Sequence, residues 1–170
     1  MSNNIILIGP MGVGKSSIGR PLAKMLGKEF IDSDQAIEKR TGVSISLIFD
    51  IEGEAGFRKR EAGILQELAR KENIVLATGG GSILCEKNRH VFRKSGVVVY
   101  LCAMVETLLE RTRGSKHRPL LQTECPRTTL EKLMAQRDPI YRQEADLIVT
   151  TDRRSPMAVA QKIAKLIQDR

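Results

Sequence analysis

Apolar residues fall along this chain in two alternating patterns. One is a short continuous run; the other is a longer stretch in which they recur every three or four positions. The runs are Ile5-Ile6-Leu7-Ile8, Ile74-Val75-Leu76-Ala77 and Val97-Val98-Val99-Tyr100-Leu101, with the shorter Phe30-Ile31 and Leu147-Ile148-Val149. Each reads as a strand buried on both faces, because a half-exposed strand would alternate apolar with polar. The spaced stretches read as amphipathic helices. Ile18, Leu22, Met25 and Leu26 share one face of the first helix, which Gly27 stops. A short helix over 35–40 ends at Thr41-Gly42, and Asp34 is placed to cap it. Residues 44–50 carry Ile45, Leu47, Ile48 and Phe49 in a second short helix. After Glu52-Gly53-Glu54, a long helix over 55–71 carries Phe57, Ile64, Leu65 and Leu68. Further helices are expected over 85–94, 105–112 and 126–137, the last broken by Asp138-Pro139-Ile140-Tyr141. Ser155 caps a final helix with Val159, Ile163 and Ile167 inward. Strands alternating with helices throughout predict an α/β fold, a parallel sheet with helices on both faces. No domain boundary, internal repeat or low-complexity segment interrupts it.

Composition narrows this picture. A chain of 170 residues suits one domain with a substantial core, and 41% hydrophobic with 28% charged residues is ordinary for a globular protein. No apolar run approaches the roughly 18–20 residues of a membrane span. The start, Met1-Ser2-Asn3-Asn4, lacks the basic opening of a secretory signal, so the expected compartment is the cytoplasm. Cys85, Cys102 and Cys125 have neither zinc nor CxxC spacing and are expected to be reduced thiols. The net charge of +8 admits nucleic acid or small anions as partners. With no Trp, four Phe and two Tyr in no stacking arrangement, a small polyanionic substrate explains it better than RNA.

The chemistry begins at Gly9-Pro10-Met11-Gly12-Val13-Gly14-Lys15-Ser16, which fits the phosphate-binding loop pattern between a strand and a helix. Glycines let backbone N–H groups converge on phosphate oxygens, and the helix N-terminus adds roughly half a positive charge. Lys15 can reach the outer phosphates, and the Ser16 hydroxyl can ligate Mg²⁺. Asp32-Ser33-Asp34 closes the second strand, where open α/β sheets place ligands; one of the two carboxylates can equally serve as a helix cap. No Walker B aspartate ends a central strand, so Asp32 is the nearest candidate to complete a Mg²⁺ shell. Arg58 and Glu61 lie three apart on one helix face, and the spacing alone favours a surface ion pair. Thr78-Gly79-Gly80-Gly81-Ser82 ends the third strand, and three consecutive glycines suit close backbone approach to a ligand. The basic segment Arg113-Gly114-Ser115-Lys116-His117-Arg118-Pro119-Leu120-Leu121 suits a loop closing over phosphates; His117 has no partner that would make it catalytic.

Together these elements resemble the shikimate kinases, phosphate-binding-loop small-molecule kinases of the aromatic amino-acid pathway. The resemblance runs through nearly the whole chain. It rests on the phosphate loop, Asp32-Ser33-Asp34, Gly53-Glu54 with Phe57-Arg58 and Glu61, Thr78-Gly79-Gly80-Gly81, Arg118-Pro119-Leu120-Leu121, and Arg137-Asp138-Pro139 with Tyr141. It implies a single-domain P-loop NTPase over 1–170, nucleoside-monophosphate-kinase-like, with a five-stranded parallel sheet in 2-3-1-4-5 order. The phosphate loop would span 9–16, the shikimate-binding region about 32–61 and a mobile lid about 112–124. The implied reaction is Mg²⁺-dependent transfer of the ATP γ-phosphate to the 3-hydroxyl of shikimate. By the same resemblance, Gly12, Val13, Gly14, Lys15, Ser16 and Ser17 cradle the phosphates. Ser16 and, through water, Asp32 hold Mg²⁺. Asp34, Arg58, Gly80, Gly81 and Arg137 contact shikimate. Arg118 comes from the lid onto the phosphates, and Arg154 lies by the adenine. Asp34, Lys15 and Arg118 are then the catalytic set. The expected protein is a cytoplasmic monomer with shikimate and ATP as its partners, and neither nucleic acid nor membrane. Two alternatives stay open: a related kinase acting on gluconate or a nucleoside monophosphate, and an ATP- or RNA-binding regulator without turnover.

Overall fold

β1 (Asn4–Ile8) is buried along its whole length because it lies mid-sheet and is covered on both faces. The computed structural model describes residues 3–113 and 125–170. β2 (Glu29–Asp32), β3 (Ile74–Ala77), β4 (Gly96–Cys102) and β5 (Leu147–Thr150) complete a five-stranded sheet in the order β2-β3-β1-β4-β5. Every neighbouring pair is parallel; Ile6 sits between Leu76 and Val98. The expected topology is therefore the one found.

Alternate residues of the strands enter two separate cores, as the two-residue period of a strand requires. Ile5, Leu7, Val75, Val99 and Leu101 face α1 (Lys15–Met25), α5 (Val105–Thr112) and α7 (Pro156–Gln168), through Ile18, Leu22, Leu108, Val159 and Ile163. Ile6, Ile8, Leu76, Val98 and Tyr100 face the opposite layer, through Ile37 of α2 (Ser33–Thr41), Phe57 and Leu65 of α3 (Ile45–Leu68), Phe92 of α4 (Glu86–Ser95) and Tyr141 of α6 (Pro126–Glu144). Burying a Leu, Ile or Phe contributes roughly 1.5–3 kcal/mol each, so these two layers fix the register of every strand. The strand ends that matter all emerge on one edge: the loop after β1, Asp32 at the end of β2, and Thr78 to Gly81 after β3.

Four local expectations need correction. Met25, the last residue of α1, is 40% exposed and stays outside the core that its neighbour Leu26 packs against. Asp32, not Asp34, caps α2: its Oδ1 accepts from the N–H groups of Asp34 (2.9 Å) and Gln35 (3.1 Å), which puts Asp34 in the first helical turn. The helices on either side of Gly53 run together as one kinked element. Gly53, at φ 72° and ψ −179°, is the hinge, a conformation that favours glycine. Finally, α6 does not break at Pro139 but continues to Glu144. An internal proline costs about 3 kcal/mol. Here it is outweighed by tertiary contacts on both sides: Arg137 and Tyr141 are buried, and the Tyr100 hydroxyl donates to Asp138 Oδ1 at 2.5 Å.

Candidate active site

The loop between β1 and α1 is held by its own lysine. Lys15 Nζ donates to the carbonyls of Gly9 (2.6 Å) and Pro10 (2.9 Å), while Gly12 (φ 81°) and Gly14 (φ 101°) take backbone conformations that side chains disfavour. Gly12 also has no room for a side chain, since a Cβ there would lie 2.5 Å from Thr112 Cγ2. Helix α1 starts at Lys15 with no acidic residue in its first turn, so its positive end faces the loop unopposed. Ser16 donates its hydroxyl to Asp32 Oδ2. The Asp32 carboxylate thus spans two elements, capping α2 with one oxygen and meeting Ser16 with the other. A serine hydroxyl and a carboxylate are hard oxygen donors. Mg²⁺ takes such donors in ones and twos beside phosphate oxygens, so the pair fits that ion.

Beside the loop opens a cavity of about 290 Å³. Gly12, Lys15, Ser16, Ser17, Asp32, Asp34, Arg58, Glu61, Gly79, Gly80, Gly81 and Arg137 all line it. Gly12 and Arg137, 125 positions apart in the chain, thereby meet within one cleft. The three glycines explain how the far wall is built. A Cβ on Gly79 would lie 2.5 Å from Glu61 Oε2 and 3.1 Å from Asp34 Oδ1; one on Gly80 would lie 3.6 Å from Arg137 Nη1; one on Gly81 would collide with the Arg58 guanidinium. Gly79 and Gly81 are the spaces in which charged side chains sit, and Gly80 lies in ordinary contact with Arg137 and close to the Met11 backbone.

That packing sets the electrostatics. Arg58 Nη1 donates to Glu61 Oε1 at 2.8 Å, and the Glu61 side chain is wholly buried. The pair is therefore part of the cleft wall and not the surface ion pair that its spacing suggests. Asp34 Oδ1, Glu61 Oε2 and Arg137 Nε are buried and have no hydrogen-bond partner among the described residues. Burial raises the Asp34 pKa to about 7, with the Glu61 and Asp32 carboxylates adding to the rise and Lys15 and Arg58 opposing it. Burial also raises the Glu61 pKa, against the pull of Arg58 and Arg137. Two crowded carboxylates and two arginines with unspent hydrogen-bonding capacity describe a site prepared for a polar ligand carrying both hydroxyls and negative charge.

Val13, Gly14 and Arg154, among the expected residues, do not line this cavity. Val13 is buried beneath the loop. Arg154 is exposed on the β5–α7 connection, where its N–H donates to Thr151 O at 3.4 Å. Arg118, with the rest of 114–124, lies outside the described residues; Thr112, the first residue of the expected lid, is the buried last residue of α5. One contact was not foreseen. Arg111 joins the phosphate loop to the β5–α7 connection, through Val13 O (3.1 Å), Thr151 Oγ1 (3.1 Å) and Thr151 O (3.2 Å). The bond to a carbonyl 98 residues away has no sequence signature.

Comparison with known proteins gives the family and the fold. The shikimate kinase family model matches residues 11–168. A shikimate kinase of Actinobacillus pleuropneumoniae serotype 5b is 55% identical over 98% of this chain and 96% of its own. One from Vibrio cholerae serotype O1 is 52% identical over 98% and 95%. The solved shikimate kinase of Acinetobacter baumannii in complex with shikimate superposes with a TM-score of 0.97 at 48% identity, covering 99% of this chain and 94% of that one. The chain belongs to the shikimate kinase family.

Proposed function

We propose that this protein transfers the γ-phosphoryl group of ATP to the 3-hydroxyl of shikimate, releasing shikimate 3-phosphate and ADP. The observation that carries the reading is the meeting of Asp34, Arg58 and Arg137 in one cleft beside the phosphate loop. Shikimate has a carboxylate at one end of its ring and hydroxyls at the other. Arg58 and Arg137 present forked donors that suit the carboxylate. Asp34 is left to accept from the hydroxyls. With its pKa at about 7, Asp34 is divided between charged and neutral forms near neutrality, which suits a group that takes a proton and returns it. The acceptor oxygen attacks the γ-phosphorus, the bond to the β-phosphate oxygen breaks, and the hydroxyl proton passes to the Asp34 carboxylate.

Phosphoryl transfer needs little activation of the nucleophile, so holding both substrates in line contributes most of the rate. Gly12 to Ser17 would hold the phosphates, with Lys15 exchanging its bonds to Gly9 and Pro10 for phosphate oxygens. Ser16 and Asp32 would hold Mg²⁺, which offsets charge on the phosphates when bound. In this reading Arg118 closes from a lid over about 112–124, Arg154 stands near the adenine, and the shikimate-binding region spans about 32–61 of a single 1–170 domain. The protein is read as a cytoplasmic monomer binding neither nucleic acid nor membrane. No helix among the described residues is long and apolar enough to cross a membrane. Phosphorus and proton NMR of the product test the reaction. A phosphoester at the 3-position is expected, and phosphate on another hydroxyl would overturn the placement of Asp34.

A further inference from the structure

Tyr141 stands directly behind the cleft without lining it. It is one turn from Arg137 on α6, so both side chains leave the same helix face toward the glycine loop. The Tyr141 hydroxyl donates to the Gly80 carbonyl. Its ring is 1% exposed and stacks on Tyr100, with centroids 4.9 Å apart. Tyr100 in turn donates to Asp138 Oδ1 at 2.5 Å, and Arg142 Nε donates to Asp138 Oδ2 at 2.9 Å. The phenol is thus fixed at both ends. Burial pushes its pKa up to about 12, with the charge and a side-chain hydrogen bond of Arg137 and the charge of Arg58 opposing the rise. The hydroxyl therefore remains a donor throughout any working range, and it also accepts from Arg137.

The Gly80 carbonyl and the Gly81 N–H belong to one planar trans peptide and point in opposite directions. Tyr141 draws the carbonyl toward α6, outside the cleft. The N–H is then turned toward the cavity side, where the Arg58 guanidinium occupies the space a Gly81 side chain would need. Among the described residues, no backbone carbonyl accepts from the Gly81 N–H. An N–H aimed beside two guanidinium groups is a third donor for the same anion.

We infer that Tyr141 is a positioning residue for the acceptor, holding the Gly80–Gly81 peptide so that the Gly81 N–H joins Arg58 and Arg137 around the substrate carboxylate. This rests on reading the cleft as the shikimate site, and it adds a residue that touches neither substrate. Tyr141→Phe removes the hydroxyl and keeps the stacked ring. It should raise the KM for shikimate about tenfold, the value of one orienting hydrogen bond. The KM for ATP should change by less than about twofold. The decisive comparison uses a shikimate analogue whose carboxylate is replaced by a hydroxymethyl group. With it, wild type and Tyr141→Phe should differ by less than about twofold, because the donor being oriented has no anion to meet. Tyr100→Phe, which loosens the stack without touching Gly80, should lower Tm while leaving the tenfold discrimination intact.

A merely structural role would weaken both acceptors equally, and that result overturns the inference. Should Tyr141→Phe fail to fold, the wild-type protein labelled with ¹⁵N-glycine gives a second test. Shikimate should move the Gly81 amide proton downfield and the hydroxymethyl analogue should not; an unmoved resonance overturns the proposal. A wild type inactive on shikimate overturns the functional reading and this inference with it. An active wild type with an unaltered Tyr141→Phe overturns this inference alone.

Discussion

Asp34→Asn should make the unliganded protein more stable and nearly inactive, and the gain should depend on pH. The Asp34 carboxyl is raised from 3.8 to about 7 by burial and by the neighbouring Glu61 and Asp32 carboxylates. The folded protein therefore holds this proton more tightly than the unfolded chain. Its stability falls as pH rises from about 4 to about 7, then levels off at the reduced value. At roughly 1.36 kcal/mol per pKa unit, the whole displacement has a ceiling of about 4 kcal/mol. That displacement is already net of the pull of Lys15 and Arg58; with local relaxation around a neutral amide, a gain of about 1–3 kcal/mol is expected for a side chain that cannot ionise. For a chain of this length that is a rise in Tm of about 2–10 °C. The assay is thermal unfolding without substrates or Mg²⁺ at pH 8 and pH 5. The variant should melt higher at pH 8, and the difference should shrink at pH 5, where wild-type Asp34 is itself protonated. The same variant should lose most of kcat while still binding ATP. A variant no more stable at pH 8, or equally stabilised at both pH values, would refute the argument that this carboxylate is held under strain for function.

Three further substitutions separate the parts of the site. Arg137→Ala should raise the KM for shikimate by about 10–100-fold, the range for a lost charge-assisted pair, and the KM for ATP by much less; equal changes in initial-rate kinetics would remove the arginine from the carboxylate. Arg118→Lys keeps the charge and loses the fork. It should melt like wild type yet slow kcat by about tenfold or more, and an unaltered rate would place Arg118 away from the transferred group. Gly79→Ala sets a Cβ 2.5 Å from Glu61 Oε2 and 3.1 Å from Asp34 Oδ1. Displacing two carboxylates by even a fraction of an ångström should reduce kcat/KM by about 10–100-fold, and wild-type kcat/KM would mean that the wall yields freely.

Elements buried on both faces were the easiest to read. The runs at 5–8, 74–77 and 97–101 became β1, β3 and β4 within one residue at each end. Their neighbours in the sheet are far along the chain, but the apolar run alone declares the strand. The phosphate loop was equally legible, because its glycines and Lys15 act locally. What the sequence concealed was decided by distant partners. Pro139 signals a break, and the bond that helps hold α6 together across it comes from Tyr100, 38 residues away. Arg58 and Glu61 have the spacing of a surface pair; only the packing of Gly79 and Gly81 against them shows that Glu61 is buried. Asp32 and Asp34 are two residues apart and chemically identical. The choice of cap between them followed from Ser16, whose hydroxyl pins Asp32 at the end of β2 and leaves Asp34 facing the cleft. Tyr141 stood in a recognisable motif, yet its bond to Gly80 spans 61 residues and could not be inferred from spacing.

The central claim is the identity of the acceptor. Mg-ATP-dependent ADP release should be followed in a coupled assay with shikimate, gluconate, AMP or no acceptor. Turnover with shikimate and background rates with the other three is the predicted result. Turnover with gluconate or AMP in place of shikimate would keep the phosphate loop and contradict the roles given to Arg58, Gly80, Gly81 and Arg137. Protein that binds ATP and turns over with none of them would contradict the assignment as a kinase.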